Sequence, residues 1–246
     1  MIAMFRFFEE ASSLLDGKIN ISKENAHHIS KVLRIKEDED FEVLIDRKVY
    51  LVNICQKENN ALQAKIKDVY MDDNESSLHI HLYQALPKSD KYEWIIQKTI
   101  ELGVQEITPF NSERTIVKWD AKKEERKRKR FEDIALAAAK QAKRSFVPKV
   151  HPLIKFNELL NEIDDKTVVA YEGGGQSLKT TLNQLKAKEV KLVIGPEGGF
   201  AEEEIEQFKD RGAKIVHLGK RIMRTETAAM ALLAMVQYEI GDINEI

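Results

Sequence analysis

Leu192-Val-Ile-Gly-Pro-Glu-Gly-Gly-Phe200 and Leu218-Gly-Lys-Arg-Ile-Met-Arg-Thr-Glu-Thr-Ala-Ala229 share one plan. Each begins as a buried strand and runs into a loop where backbone, rather than side chains, meets a ligand. In the first loop a proline stands among glycines, which permit positive φ and close approach of another molecule. In the second, Gly219 follows the strand directly and a helix opens at Thr225 or Glu226. Ligands of open parallel sheets gather at the carboxyl ends of strands, so both loops are candidate binding segments. Ala170-Tyr-Glu-Gly-Gly-Gly175 is a third strand end of the same kind.

Around these loops, strands alternate with helices. Strands are predicted over 167–171, 190–194 and 213–218, with a helix between the last two whose first turn carries Glu202, Glu203 and Glu204, the sign favoured at a helix N-terminus. Gly212 stops that helix, and a final one spans about 226–239. Upstream, Leu78, Ile80 and Leu82 alternate as in a strand ending near Pro87. Asp90 with Glu93 predicts a capping-box start to a helix reaching Leu102, with Gly103 at C′. A short strand at 106–110 precedes a basic helix over 121–144 with Phe131, Ile134, Ala138 and Ala142 as its buried stripe. This alternation implies an α/β domain with a largely parallel sheet.

The first 70 residues read differently. Ser22 is an N-cap for a helix that puts Ala26, Ile29 and Leu33 on one face. Strand-like runs follow at 41–45, 49–54 and 61–66, close enough together for a small barrel. His27 and His28 share that helix but point apart, which argues against a common metal. Nothing in the polar stretch 71–77 can fill a core, so the domains are set at 1–72 and 73–246.

The chain has 246 residues, 43% apolar and 33% charged, and one cysteine, Cys55. An intramolecular disulfide is excluded, and a reducing compartment, the cytoplasm, is expected. Met1-Ile-Ala-Met-Phe-Arg-Phe-Phe8 is too short for a signal-peptide core, and no apolar run approaches the roughly 20 residues that cross a bilayer. The net charge of −2 hides an asymmetry: residues 114–149 hold thirteen Lys or Arg against five Asp or Glu, so the remainder carries −10. A localised basic face suits a polyanionic partner; it reads equally as a solvated helix face. There is no G-x-x-x-x-G-K-[ST], no G-x-G-x-x-G, no G-x-S-x-G and no clustered Cys/His metal set.

The two glycine loops resemble the cofactor-binding segment of the SPOUT superfamily of S-adenosylmethionine (SAM) methyltransferases, and most closely the ribosomal RNA small subunit methyltransferase E family. His27-His-Ile-Ser-Lys-Val-Leu-Arg34 is similar to that family's N-terminal signature. Gln97-Lys-Thr-Ile-Glu-Leu-Gly-Val104 and Ser112-Glu-Arg-Thr-Ile-Val-Lys118 fall where its central motifs belong. Gln141, Arg144 and Val147-Pro148 match another, although Lys140 and Ala142 replace the acidic residue and Ser usual beside that Gln.

The resemblance implies a C-terminal domain with a trefoil knot at about 190–235, an exception to the rule of unknotted chains, and an N-terminal PUA-like RNA-binding barrel. It implies SAM held by Ala170, Ile194, Gly195, Gly199, Leu218, Gly219, Ile222 and Met223; Leu218, Ile222 and Met223 also read as plain core. The implied reaction is methyl transfer to N3 of a uridine in 16S rRNA, in the 30S subunit. N3 carries a proton, so the site needs a base, or a cation for charge spreading onto the flanking carbonyls. Arg224 is the candidate cation, with a salt bridge to Glu197 or Glu226, or a phosphate clamp, as its alternatives. No base is named. Arg34, Arg114, Arg126, Arg128, Arg130 and Arg144 are candidates for the RNA backbone. Related enzymes pair through the knotted domain, so a homodimer is implied, although the apolar run 230–236 also suits an intrachain core. Ribose 2′-O-methylation and non-catalytic RNA binding are the competing functions.

Overall fold

A computed structural model describes residues 5–58, 61–72, 74–88, 90–117, 119, 121–185 and 187–244. Lys118, which closes one motif, and Asp73, at the expected domain boundary, lie outside these. Contacts divide the chain into two compact units, Met1–Glu75 with Ala139–Val147 and Ser76–Ala138 with Pro148–Ile246.

The first unit is a six-stranded sheet in the order β1-β4-β5-β6-β3-β2. Its strands are β1 (Arg6–Phe8), β2 (Leu14–Leu15), β3 (Lys18–Ile21), β4 (Asp40–Ile45), β5 (Lys48–Glu58) and β6 (Ala61–Met71). Only β1 and β4 run parallel. Phe41, Val43, Val52, Ile54, Leu62, Ala64, Ile19 and Ile21 alternate onto one buried face, which Ala26 and Ile29 join. β6 continues past residue 66, through a bulge at Lys67, because 68–71 stay paired with the start of β5, Lys48 opposite Met71. The hydroxyl of Ser22 accepts from the Asn25 amide and caps α1 (Lys23–His27). The helix then widens into a π turn, His28–Leu33, that ends on Arg34 at φ 56°.

Residues 139–147 belong to this unit, not to the one in which the sequence placed them. Arg144, 4% exposed, holds Glu75 with both arms of its guanidinium, Nε to Oε1 at 2.8 Å and Nη2 to Oε2 at 2.8 Å. The Ser145 amide donates to the same carboxylate at 2.8 Å. Such a pair is worth keeping intact, since a buried charge without its partner costs several kcal/mol, on the order of 3–5.

The second unit is an eight-stranded sheet in which every pairing is parallel. The order is β10-β8-β7-β13-β11-β14-β12, with β9 also beside β8. The strands are β7 (His79–Ala85), β8 (Glu106–Asn111), β9 (Lys149–Val150), β10 (Ile154–Lys155), β11 (Thr167–Ala170), β12 (Gln176–Ser177), β13 (Glu189–Ile194) and β14 (Lys214–His217). The helices are α2 (Lys91–Glu101), α3 (Ala121–Gln141), α4 (Phe156–Glu162), α5 (Leu178–Gln184), α6 (Glu202–Asp210) and α7 (Thr225–Ile240). Tyr83, Phe110, Val169 and Val193 face a core closed by Leu159 and Leu160 of α4 and Ile205 and Phe208 of α6. The alternate residues, Ile80, Leu82, Val168 and Leu192, are buried on the other face. There α7 lies on β13 and α2, burying Leu232, Leu233 and Val236.

Two expectations for the helices need correction. Asp90 makes no side-chain cap to α2. The Glu93 amide bonds the Asp90 carbonyl, and the Glu93 carboxylate is drawn to Arg130 at 3.2 Å and Lys127 at 3.6 Å, so the capping box does not form. α3 stops at Gln141 because Lys143 takes φ 53°; its buried stripe is Phe131, Ala135, Ala138 and Ala139, with Ile134 half-buried.

Candidate active site

β11 lies between β13 and β14, so the carboxyl ends of three parallel strands arrive side by side at Ala170, Ile194 and His217. Their loops enclose a cavity of about 420 Å³, within the roughly 300–1,000 Å³ usual for small-molecule sites. Ala170, Ile194, Gly195, Gly199, Leu218, Gly219, Ile222, Met223 and Arg224 all line it. Packing does not explain the apolar members: Ile222 is 88% exposed, and Leu218 and Met223 are only partly buried.

The glycines serve different ends. Gly219 has φ +90°, and a Cβ there would meet no atom within 4 Å, so the space beside it is free for a ligand. Gly199 takes φ +68°, a conformation glycine adopts without strain, with the exposed Glu172 carboxylate lying against it. A Cβ on Gly195 would stand 3.0 Å from the Phe200 ring. The last two therefore shape the loop for its own packing.

Thr225 and Gln84, which sequence reasoning passed over, hold the loop to the sheet. The buried Thr225 hydroxyl donates to the Gly195 carbonyl at 2.7 Å and accepts from Gln84 Nε2 at 2.9 Å. One side chain thus ties the start of α7 to the β13 loop and to β7. A signal existed: Gln84 is the polar interruption of an otherwise apolar strand end. Glu204, 4% exposed, accepts from the amides of Ala201 at 3.0 Å and Glu113 at 2.9 Å and so anchors the 112–117 segment. From that segment Arg114 donates to the Gly198 carbonyl at 3.0 Å, at the rim of the cavity.

Lys91 bridges Glu197 at 3.1 Å and Glu226 at 3.3 Å. Burial pushes the Glu197 carboxyl up, but its own amide, the Lys88 amide and Lys91 outweigh that and leave it below its ordinary value. Both carboxylates are thereby engaged, and Arg224, exposed at the N-cap of α7, has no hydrogen bond or ion pair to its guanidinium among the described residues. The salt bridge offered as its alternative role does not form.

The arginines assigned to RNA fall into different settings. Arg126 on α3 and Arg34 on the π turn are exposed and without an ion-pair partner among the described residues. Arg128 pairs with Glu132 and Arg130 with Glu93, both in the open. Arg144 does not face solvent, since Glu75 occupies it; its observed work is structural. Folding also brings together His81, Glu106 and His151, residues far apart in the sequence, with ligand-capable atoms within 4.8 Å of one another.

A family model for the RNA methyltransferase domain matches residues 74–237. Ribosomal RNA small subunit methyltransferase E of Bacillus subtilis is 34% identical over 89% of this chain and 90% of its own. The chain belongs to the ribosomal RNA small subunit methyltransferase E family. The family's protein from Mesomycoplasma hyopneumoniae is 33% identical, over 94% of this chain and 97% of its own. The crystal structure of the Neisseria gonorrhoeae member, bound to S-adenosyl methionine, superposes with a TM-score of 0.85 at 30% identity, covering 98% of this chain and 99% of that one.

Proposed function

We propose that this protein transfers the methyl group of SAM to N3 of a uridine in 16S rRNA, acting on the 30S subunit in the cytoplasm. The observation that carries the reading is the cavity where the backbone of 194–199 meets that of 218–223, open at Gly219 and flanked by the unpaired Arg224. That cradle fits a ligand gripped through main-chain groups, and the Neisseria gonorrhoeae relative was solved with SAM. SAM supplies an electrophilic methyl on a sulfonium. What the chain supplies is placement and charge. Thr225 fixes the Gly195 carbonyl and the mouth of α7 together, so donor and acceptor are aligned before reaction. Arg224 projects its guanidinium at the mouth, where it offsets negative charge on the uracil oxygens as the N3 proton leaves. Glu197, kept as an anion by Lys91, orients rather than accepts that proton.

Phosphates are met by Arg34, Arg114, Arg126, Arg128 and Arg130. The pairs to Glu132 and Glu93 are exposed and exchange cheaply, for about 0–1 kcal/mol each. The first unit is read as a small PUA-like β-barrel, and residues 190–235 as a trefoil knot. The order β13-β11-β14, with α7 back on β13, supports the knot, since the chain leaving β14 recrosses the end of β11.

The test is transfer of labelled methyl from SAM to 30S subunits lacking the modification, with mass spectrometry of the digested nucleosides. A 3-methyluridine product is expected. A 2′-O-methyl product would replace the acceptor, and absence of both transfer and calorimetric SAM binding would leave an RNA-binding protein.

A further inference from the structure

The amino ends of β7 and β8 hold a group of side chains that methyl transfer does not use. These strands run parallel with His81 opposite Glu106, and the His151 amide bonds the Ile107 carbonyl at 2.8 Å. Three sequence-distant residues are thereby set on one patch. The Glu106 carboxylate spans two imidazoles, Oε1 to His79 Nε2 at 3.0 Å and Oε2 to His151 Nε2 at 2.5 Å. The His81 ring is held from two sides, stacked on Tyr83 at 4.1 Å between centroids and fixed at Nε2 by the buried Thr108 hydroxyl at 2.8 Å. It also stacks on His151, at 5.3 Å.

We propose that His81, Glu106 and His151 form a binding site for a borderline divalent transition-metal ion, of which zinc is the best match. Two imidazoles and one carboxylate are the donor set that zinc accepts with an open fourth position, and imidazole selects against magnesium and calcium, which take oxygen. The three donor atoms already lie within 4.8 Å of one another; tetrahedral bonds of about 2.0–2.1 Å place donors roughly 3.3 Å apart, so binding draws the three side chains closer together. Thr108 provides the outer hydrogen bond that fixes a ligating ring. His79, on the other carboxylate oxygen, orients Glu106. The site lies at the amino ends of the strands and the SAM cavity at the carboxyl ends, so the ion staples β7, β8 and the segment after β9 and takes no part in the transfer.

The experiment uses the full chain without an affinity tag, stripped with chelator and titrated calorimetrically with Zn²⁺ in millimolar Mg²⁺. One equivalent per chain, with a raised unfolding temperature, is expected. His151→Ala and Glu106→Gln each weaken binding at least tenfold, the second variant guarding against misfolding of the first. The double variant His27→Gln with His28→Gln, in the other unit, keeps full affinity. Co²⁺ in place of Zn²⁺ gives a visible d–d spectrum that Glu106→Gln alters. No saturable binding, or binding that both His151→Ala and Glu106→Gln leave unchanged, overturns the site.

Discussion

Arg224 stands at the mouth of the cavity with both neighbouring carboxylates already bound to Lys91. A cation left free in this way is available to charge that develops only during reaction, and losing one such donor costs about 10²–10³ in rate. Arg224→Gln is expected to lower kcat about a hundredfold while SAM affinity, by calorimetry, changes less than threefold. A rise in KM for RNA with kcat intact would make Arg224 a phosphate clamp. Gly219 is predicted to matter for space and backbone together. Gly219→Val should weaken SAM binding more than tenfold and cost about 1–2 kcal/mol through its left-handed φ. Gly17→Val, with φ +73° and equally open space in the other unit, should cost the same stability and leave SAM binding alone. Equal losses of SAM affinity in both would remove Gly219 from the pocket. The acid side is set by carboxyls held below their ordinary values. Against burial, backbone amides and Lys91 hold down Glu197, and Lys191 and the Lys166 amide hold down Asp164. Their stabilisation is complete above about pH 4.5, the unfolded value, and disappears as pH falls through the folded ones. Urea midpoints should therefore decline already below about pH 6.5, because burial holds His81 near 4 in the fold and it takes up a proton on unfolding, and fall further below 4.5, that second fall being less steep in Glu197→Gln. At this scale the glycines were legible as glycines, but not their reasons: that Gly195 leaves space for the Phe200 ring shows only once the loop is folded.

Elements were most legible where one periodicity governed them. The strands at β11, β13 and β14 are announced by apolar runs and closed by glycine loops, and the charged first turn of α6 by three glutamates. The start of α2 was not, because a capping box is a local pattern and Glu93 answers to Arg130 and Lys127 on α3 instead. Helix α3 keeps its apolar stripe on the core and turns Arg126, Arg128 and Arg130 outward. Reversing all three to Glu should weaken RNA binding and lower the slope of log affinity against log salt by roughly two, from about 0.7–0.9 per lost phosphate contact. SAM affinity should not move. An unchanged slope would make this a solvated face.

For the whole molecule, the sequence left the run 230–236 open between core and partner, and the structure divides it. Leu232, Leu233 and Val236 are fully buried, whereas Met235 and Tyr238 are 38% and 60% exposed. The His81, Glu106 and His151 group was invisible for a related reason: only the register of parallel strands brings such distant residues together. Along the outer side of α7, exposed Met235, Tyr238 and Ile243 lie in a trough of about 400 Å³ with buried Leu178 and Leu182 beneath them and Lys179 and Glu239 beside them. Clustered exposed apolar side chains on a charged protein mark an interaction site, and full burial of one such large side chain is worth about 1.5–3 kcal/mol. The homodimer that the family resemblance implies would set a second copy of the chain on the same trough about a twofold axis, covering both faces at once. Light scattering should accordingly give twice the 28.3 kDa chain mass. Met235→Asp with Tyr238→Asp should give the single mass with the circular dichroism spectrum retained, because both side chains point away from the core that Leu232, Leu233 and Val236 fill. A wild-type monomer at micromolar concentration would assign the trough to another partner. A dimer untouched by the double substitution would move the twofold axis elsewhere on the second unit.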